Sequence, residues 1–241
     1  MARRGTVGAL LGSGLVVITA LGGAGGYGVG LLIGGELPAV ASGAAVPLGT
    51  GRPTTPSVTP TPAPPTRTPR PDYTAALRSD DLSYTTRTFD VKGTVRSDVR
   101  VRVPNDWRIT KPADQSTYAR FTDPTSKRWI RIEAGFTISR PPAASMAARV
   151  KDLSNLDKNQ LLTIVSQTEE DGQATLVYTY LPPDDQSPSL AIRYVIVRWL
   201  ADDSGNCAVE MSSTGLPQDK DALLDVLDHA TKSVDRQDSP L

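Results

Sequence analysis

The chain is poor in the residues that most often announce a function. Cysteine and histidine occur once each in 241 residues, as Cys207 and His229, and Phe, Trp and Tyr together make up 5%. A single cysteine excludes an internal disulfide, and one cysteine with one histidine excludes a Cys/His zinc module. Any histidine-based triad would have to use His229. Neither sign of charge is in excess, with 26 Lys+Arg against 26 Asp+Glu. That balance excludes a polycation built for nucleic acid, which is therefore not an expected partner.

What is present is unevenly spread: Gly and Pro are concentrated in the first 71 residues, and most charges follow residue 72. Residues 5–35 carry no charge and include Leu10-Leu11, Leu15-Val16-Val17-Ile18 and Leu31-Leu32-Ile33. A helix of about 20 apolar residues crosses the hydrocarbon core, so this run is long enough to span it. Arg3 and Arg4 precede the run and Glu36 follows it. The positive-inside tendency then predicts a cytoplasmic N-terminus at 1–6, a single-pass transmembrane helix at 7–35, and an extracytoplasmic remainder. The cell membrane is thus an expected partner. The alternative is a signal segment cleaved near Ala41, where Ala39-Val40-Ala41 offers suitably small residues, releasing a secreted domain.

Two glycine patterns fall in this segment. Gly22, Gly26, Gly30 and Gly34 would line one helix face and let a second backbone approach, an expectation of homo-oligomers through the anchor. The stretch Gly23-Ala24-Gly25-Gly26-Tyr27-Gly28 has the spacing of a dinucleotide fingerprint. It lacks a preceding strand and an acidic residue about 20 positions on, so no cofactor is expected. Residues 47–71 then hold nine Pro and seven Thr. Such a composition favours extended polyproline II, reaching roughly 75 Å at about 3.1 Å per residue. With a softer lead-in at 72–83, residues 36–83 are predicted as a disordered Pro/Thr-rich stalk.

From residue 84 to 235 the pattern is that of a folded domain, followed by a flexible tail at 236–241. Val99, Val101 and Val103 alternate with Arg100 and Arg102, and Ile130, Ile132, Ala134 and Phe136 alternate with Arg131 and Glu133, the period of strands with one buried face. Further strands are predicted at 85–91, 117–122, 161–168, 174–181, 190–200 and 207–213, the run 190–200 being apolar on both faces and therefore central. Helical spacing marks Met146, Val150 and Leu153 after Pro141-Pro142, and Leu223, Leu227, Ala230 and Val234 after Pro217. The order predicts an α+β fold, an antiparallel sheet flanked by helices.

The opening Val99-Arg100-Val101-Arg102-Val103-Pro104-Asn105-Asp106-Trp107, then Phe121-Thr122-Asp123-Pro124, then a strand at 129–132, resembles the start of PsbP-like domains. LpqN-type exported proteins of actinobacteria look similar. The resemblance covers residues 84–235, departs from the pattern at Asp106 where Gly usually stands, and implies a PsbP-like α/β/α sandwich in an extracytoplasmic setting with no shared active site.

Residues 84–151 hold 14 Lys/Arg against 6 Asp/Glu, and residues 152–241 hold 6 against 16. Arg100, Arg102, Arg120 and Arg131 are the candidate binding residues, a basic sheet face for an envelope protein or an anionic polymer. The opposing reading pairs these arginines with the acidic half of the same domain. If the last four strands form a meander, the turns at Glu169-Glu170-Asp171 and Asp202-Asp203 share one end of the sheet, where such carboxylates suit a hard cation. Solvated hairpin tips are the plainer account. His229 falls opposite the apolar stripe of its helix and is expected at the surface, and Cys207 is expected buried. The sequence carries no catalytic constellation. It reads as a membrane-anchored, non-enzymatic binding or sensor module of the cell envelope, with a cell-envelope enzyme or accessory subunit, or a small-ligand or lipid carrier, as alternatives.

Overall fold

The computed structural model describes residues 67–110, 117–136, 139–186 and 189–239. The predicted anchor, its glycine face and most of the stalk lie outside them. Among the described residues no helix is long and apolar enough to cross a membrane.

The domain is α+β and contains two antiparallel sheets. The smaller is formed by β1 (Tyr84–Lys92), β2 (Arg96–Pro104) and β10 (Asp235–Ser239), with β2 in the middle. The larger has seven strands: β3 (Arg108–Thr110), β4 (Tyr118–Thr122), β5 (Trp129–Glu133), β6 (Thr163–Glu170), β7 (Gln173–Tyr180), β8 (Arg193–Ala201) and β9 (Cys207–Gly215), in the order β3-β4-β5-β9-β8-β7-β6. Helix α1 (Pro142–Leu153) packs on β7 and β8, and α2 (Lys220–Thr231) packs on β9, β8 and β2. Proline opens α1 at its first turn, where the missing N–H costs nothing.

The main core lies where the small sheet and α2 meet one face of the large sheet. Phe89, Val99, Val101 and Val103 come from the first, Leu223, Val226, Leu227 and Ala230 from the second, and Phe121, Ile130, Ile132, Ile196 and Met211 from the third. Alternation makes this possible, since β2 buries Ser97, Val99, Val101 and Val103 while Arg96, Asp98, Arg100 and Arg102 face out. The predicted central strand is central, with β8 paired to β7 on one side and β9 on the other.

Three sequence expectations change. The single predicted sheet is two, because β2 is paired on both edges and the chain leaves it through the turn that buries Trp107. The predicted tail supplies a strand: Asp235–Ser239 pairs with β2, fixed by Ser97 Oγ donating to Asp238 at 2.7 Å and by Arg236 donating to Asp238 at 2.7 and 2.8 Å. Two strand starts move later because Leu161 and Leu190 adopt left-handed backbone, with φ of 48° and 47°, which ends extended pairing.

The segment before β1 is also part of the folded body. Arg67 donates to the Pro182 carbonyl at 2.7 Å and to Asp184 at 2.6 Å, and the Arg70 amide bonds the Leu190 carbonyl at 3.0 Å. Further on, Lys127 Nζ holds Asp72 at 2.7 Å, Arg128 donates to the Ala75 carbonyl at 2.5 Å, and the Leu77 amide donates to Asp219 at 2.8 Å. Residues 67–77 form a strap, where composition had predicted stalk and lead-in. Its polar side chains carry no apolar periodicity, so only their distant partners reveal it.

Candidate functional site

Strand pairing sorts the side chains of the large sheet into two faces. Arg120, Arg131 and Ser212 are directly opposite one another across β4, β5 and β9, and so are Trp129, Thr214 and Val195 across β5, β9 and β8. Glu133, Glu210 and Trp199 form a third row and Tyr180 with Arg193 a fourth. By the two-residue period all of these lie on the face opposite the main core, the face that α1 partly covers.

The charges on this face divide into two neighbourhoods. In the first, every charge is matched. Arg131 pairs with Glu133 at 2.6 Å and reaches Glu210 at 3.9 Å, and its guanidinium lies 4.1 Å over the Tyr118 ring. Arg149 of α1 donates to Glu210 at 2.6 Å, and the Trp199 indole N–H donates to its other oxygen at 2.8 Å. Burial raises the Glu133 pKa above its ordinary range, with Arg131 opposing the shift. This is a buried network that fixes α1 to the sheet.

In the second, the charges are not matched. The Arg120 guanidinium carbon lies 4.2 Å from the centre of the Trp129 ring, and that of Arg193 lies 5.7 Å from it. Arg193 is 8% exposed and donates from Nη1 to the Lys127 carbonyl at 3.0 Å. Among the described residues neither arginine forms an ion pair, and the Nε of each is buried without a hydrogen-bond partner. The hydroxyls of Ser212 and Thr214, on the same face, are likewise buried and unpartnered. Burial pushes the pKa of both guanidiniums down, with the charge of Arg193 adding to the effect at Arg120. Tyr180 feels the two cations as well, although burial dominates and raises its pKa to about 12. Each guanidinium thus keeps one buried N–H, at Nε, that has no acceptor among the described residues, a chemistry suited to an anion.

The other candidates separate. Arg100 and Arg102 are exposed on the small sheet, so the four predicted arginines do not form one face, and Arg131 is consumed by Glu133 and Glu210. Strands β6, β7, β8 and β9 form the predicted meander, and its β6–β7 and β8–β9 turns meet through the Ala201 amide on the Gly172 carbonyl at 2.8 Å. The cation site predicted there does not form. Asp202 is occupied by the Ser204 amide and hydroxyl, Glu170 accepts from Gln173, and Glu169, Asp171 and Asp203 point into solvent. Among the described residues no three His, Cys, Asp or Glu side chains group as metal ligands. His229 is half-exposed rather than free: its ring stacks on Tyr84 at 3.8 Å, and Tyr84 donates to Asp225 at 2.6 Å. Cys207 is buried, as expected.

Arg193, Trp129, Ser212 and Thr214 were not among the predicted site residues. The available signal was an arginine at the head of a run apolar on both faces, where a charge has no place without a purpose.

No family model matches this chain, and no curated protein does. Solved structures similar to it include the Saccharomyces cerevisiae Ran-binding protein Mog1p, at 11% identity over 63% of this chain and 96% of that one, with a TM-score of 0.41. A mutant of protein Mog1 is similar at 12% identity over 62% and 95%, also with a TM-score of 0.41.

Proposed function

We propose that the chain is a membrane-anchored, extracytoplasmic, non-enzymatic binding module of the cell envelope, with its PsbP-like α/β/α domain carried on the Pro/Thr-rich stalk. The uncharged run at 5–35 behind Arg3 and Arg4 supports the anchor and its orientation. The observation that carries binding is the Arg120–Arg193 pair beside Trp129, two guanidiniums whose Nε–H groups are buried and unpartnered and which, among the described residues, pair with no carboxylate. Leaving such groups unpaired is costly to a fold, and an anionic partner removes the cost. In this reading the partner is an anionic polymer or protein of the envelope, and the recognising face is the α1 side of the large sheet. Arg100 and Arg102, exposed on the other sheet, serve only as general surface charge.

The test is co-sedimentation of the full chain, purified in mild detergent, with isolated cell envelopes. Retention by the wild type and by Arg100→Gln/Arg102→Gln, with loss in Arg120→Gln/Arg193→Gln, is the expected result. Equal retention by all three overturns the assignment of the face. Protease accessibility of the domain on intact cells checks the topology, and a domain cleaved only after lysis would overturn the extracytoplasmic placement.

A further inference from the structure

The chemistry of the same face narrows what it receives, and the narrowing rests on the binding reading above. Among the described residues, every unsatisfied group at the site except the hydroxyl oxygens is a pure donor: the Nε of Arg120 and of Arg193, each on a planar guanidinium that forms no ion pair with a described carboxylate. Ser212 and Thr214 add two hydroxyl donors that are 2% and 0% exposed, on the strand between β5 and β8. Trp129, 8% exposed, has both guanidiniums beside its ring. The Asp72 and Asp219 carboxylates act on Arg193 through space, yet Lys127 and Arg128 already hold them, and Arg193 remains uncompensated.

Such a site favours a compact, multiply charged group over the side of a long polymer. Two fixed cations call for about two negative charges, and a phosphoryl group supplies roughly −1.5 to −2 at neutral pH together with three acceptor oxygens. A carboxylate supplies one charge in one plane and leaves a cation uncompensated in a desolvated place. Guanidiniums bind phosphate oxygens in fork geometry, two parallel bonds at a time.

The geometry points to a phosphoryl-binding site formed by Arg120 and Arg193 over Trp129, with Ser212 and Thr214 as supporting donors. The phosphoryl group is either free phosphate or the terminal phosphomonoester of a larger envelope molecule, and the two sources share one mode of recognition.

The experiment uses the full chain in detergent with inorganic phosphate, acetate and a phosphomonoester-terminated lipid in mixed micelles as probes. Thermal unfolding and tryptophan fluorescence are both read, because Trp129 lies at the site. Phosphate at a hundred times its Kd is expected to raise Tm by about 5–10 °C and to change the fluorescence, with acetate at matched ionic strength doing neither. In Arg120→Gln and in Arg193→Gln the response is lost, and Arg193→Lys, which keeps the charge but not the fork, retains part of it. Far-ultraviolet circular dichroism of each variant without ligand separates loss of the site from loss of the fold, and Arg120→Gln, at the more exposed position, is the variant expected to keep its fold. Response to the lipid without response to free phosphate identifies the end-group source; response to both identifies the free anion as sufficient. An equal response to acetate and phosphate, or phosphate binding that survives both glutamine variants, overturns the inference. If envelopes still bind in an Arg120- and Arg193-dependent way while neither phosphate nor the phosphomonoester lipid does anything, the binding reading stands and the phosphoryl assignment falls. If neither binds, both fall.

Discussion

Arg128 and Asp219, 91 residues apart in sequence, meet in a two-point grip, with Nε and Nη2 donating to the two carboxylate oxygens at 2.7 and 2.9 Å. Both side chains are buried, and Asp123 approaches the same guanidinium at 3.3 Å. Asp219 also accepts the backbone amides of Leu77 and Leu216, so one carboxylate joins the strap, the β4–β5 turn and the entry to α2. We expect Arg128→Ala to cost about 3–5 kcal/mol, because it leaves a buried carboxylate unpaired. Removing both partners together does not rescue the fold, since the two amides then lose their acceptor. Urea midpoints at unchanged slope measure both effects, and a loss under 1 kcal/mol in Arg128→Ala would sink this account.

Asp72 gives a pH signature. Its carboxyl is held well below its ordinary value of 3.8, first by the hydrogen bond from Lys127 and then by those from Thr74. The sign follows from linkage: a folded-state pKa below the unfolded one gives stability that is complete above the unfolded value and lost as pH falls through the folded value. The stability difference between the wild type and Asp72→Asn should therefore be flat from about pH 5 to 8 and shrink as pH falls below about 4. A difference that grows on acidification would contradict the assignment.

Gly93 is set by close approach. A Cβ there would overlap the carbonyl oxygen of Gly135, a backbone atom that cannot swing aside. Gly93→Ala is expected to cost about 1–3 kcal/mol through forced displacement of the β1–β2 hairpin. Gly172 is the contrasting case, with φ of 70° and open space around it, so Ala there costs about 1–2 kcal/mol from backbone conformation alone. Crystal structures of the two variants check this: a displaced β1–β2 hairpin is expected in Gly93→Ala and an unmoved neighbourhood in Gly172→Ala, and an undisplaced hairpin in Gly93→Ala would refute the first account.

Cys207 should be silent in the native protein. It is 2% exposed, and burial pushes its thiol pKa up to about 11, so almost no thiolate exists at neutral pH. Thiol–disulfide exchange with an aromatic disulfide reagent, which leaves a mixed disulfide on Cys207 and releases the reagent's other thiolate, is expected to follow the rate of opening of β9 rather than the reagent's own chemistry. Fast labelling of folded protein would refute this.

How much of this was legible beforehand differs by interaction range. The periods that bury Val99, Val101 and Val103, and the apolar run that makes β8 central, are local signals, and they placed most strands and both helices. The pairing of β10 with β2 is nonlocal and polar, carried by Ser97, Arg236 and Asp238, and nothing in a window of the sequence distinguishes those residues from a solvated tail. The candidate site shows the same division. Arg120 and Arg131 stand out together in the sequence and are opposite each other in the sheet, yet among the described residues one forms no ion pair and the other is spent, because only the second has Glu133 and Glu210 beside it. Arg193 joins from a strand over sixty residues later, and no spacing rule connects it to Arg120.

The strap also decides how the domain responds to force. A load applied at its N-terminal end meets first the ion pair of Arg67 with Asp184, whose carboxylate side chain is 74% exposed, then a single backbone bond at Arg70, and only afterwards the buried grip around Asp72, Arg128 and Asp219. These bonds lie in series rather than in parallel, so they break one after another, weakest first. Peeling residues 67–77 pays out up to ~36 Å of chain before either sheet is touched. The domain is thus joined to whatever precedes it by a graded mechanical fuse, which yields length under modest tension and leaves the Arg120–Arg193 face intact until the last buried bonds give way.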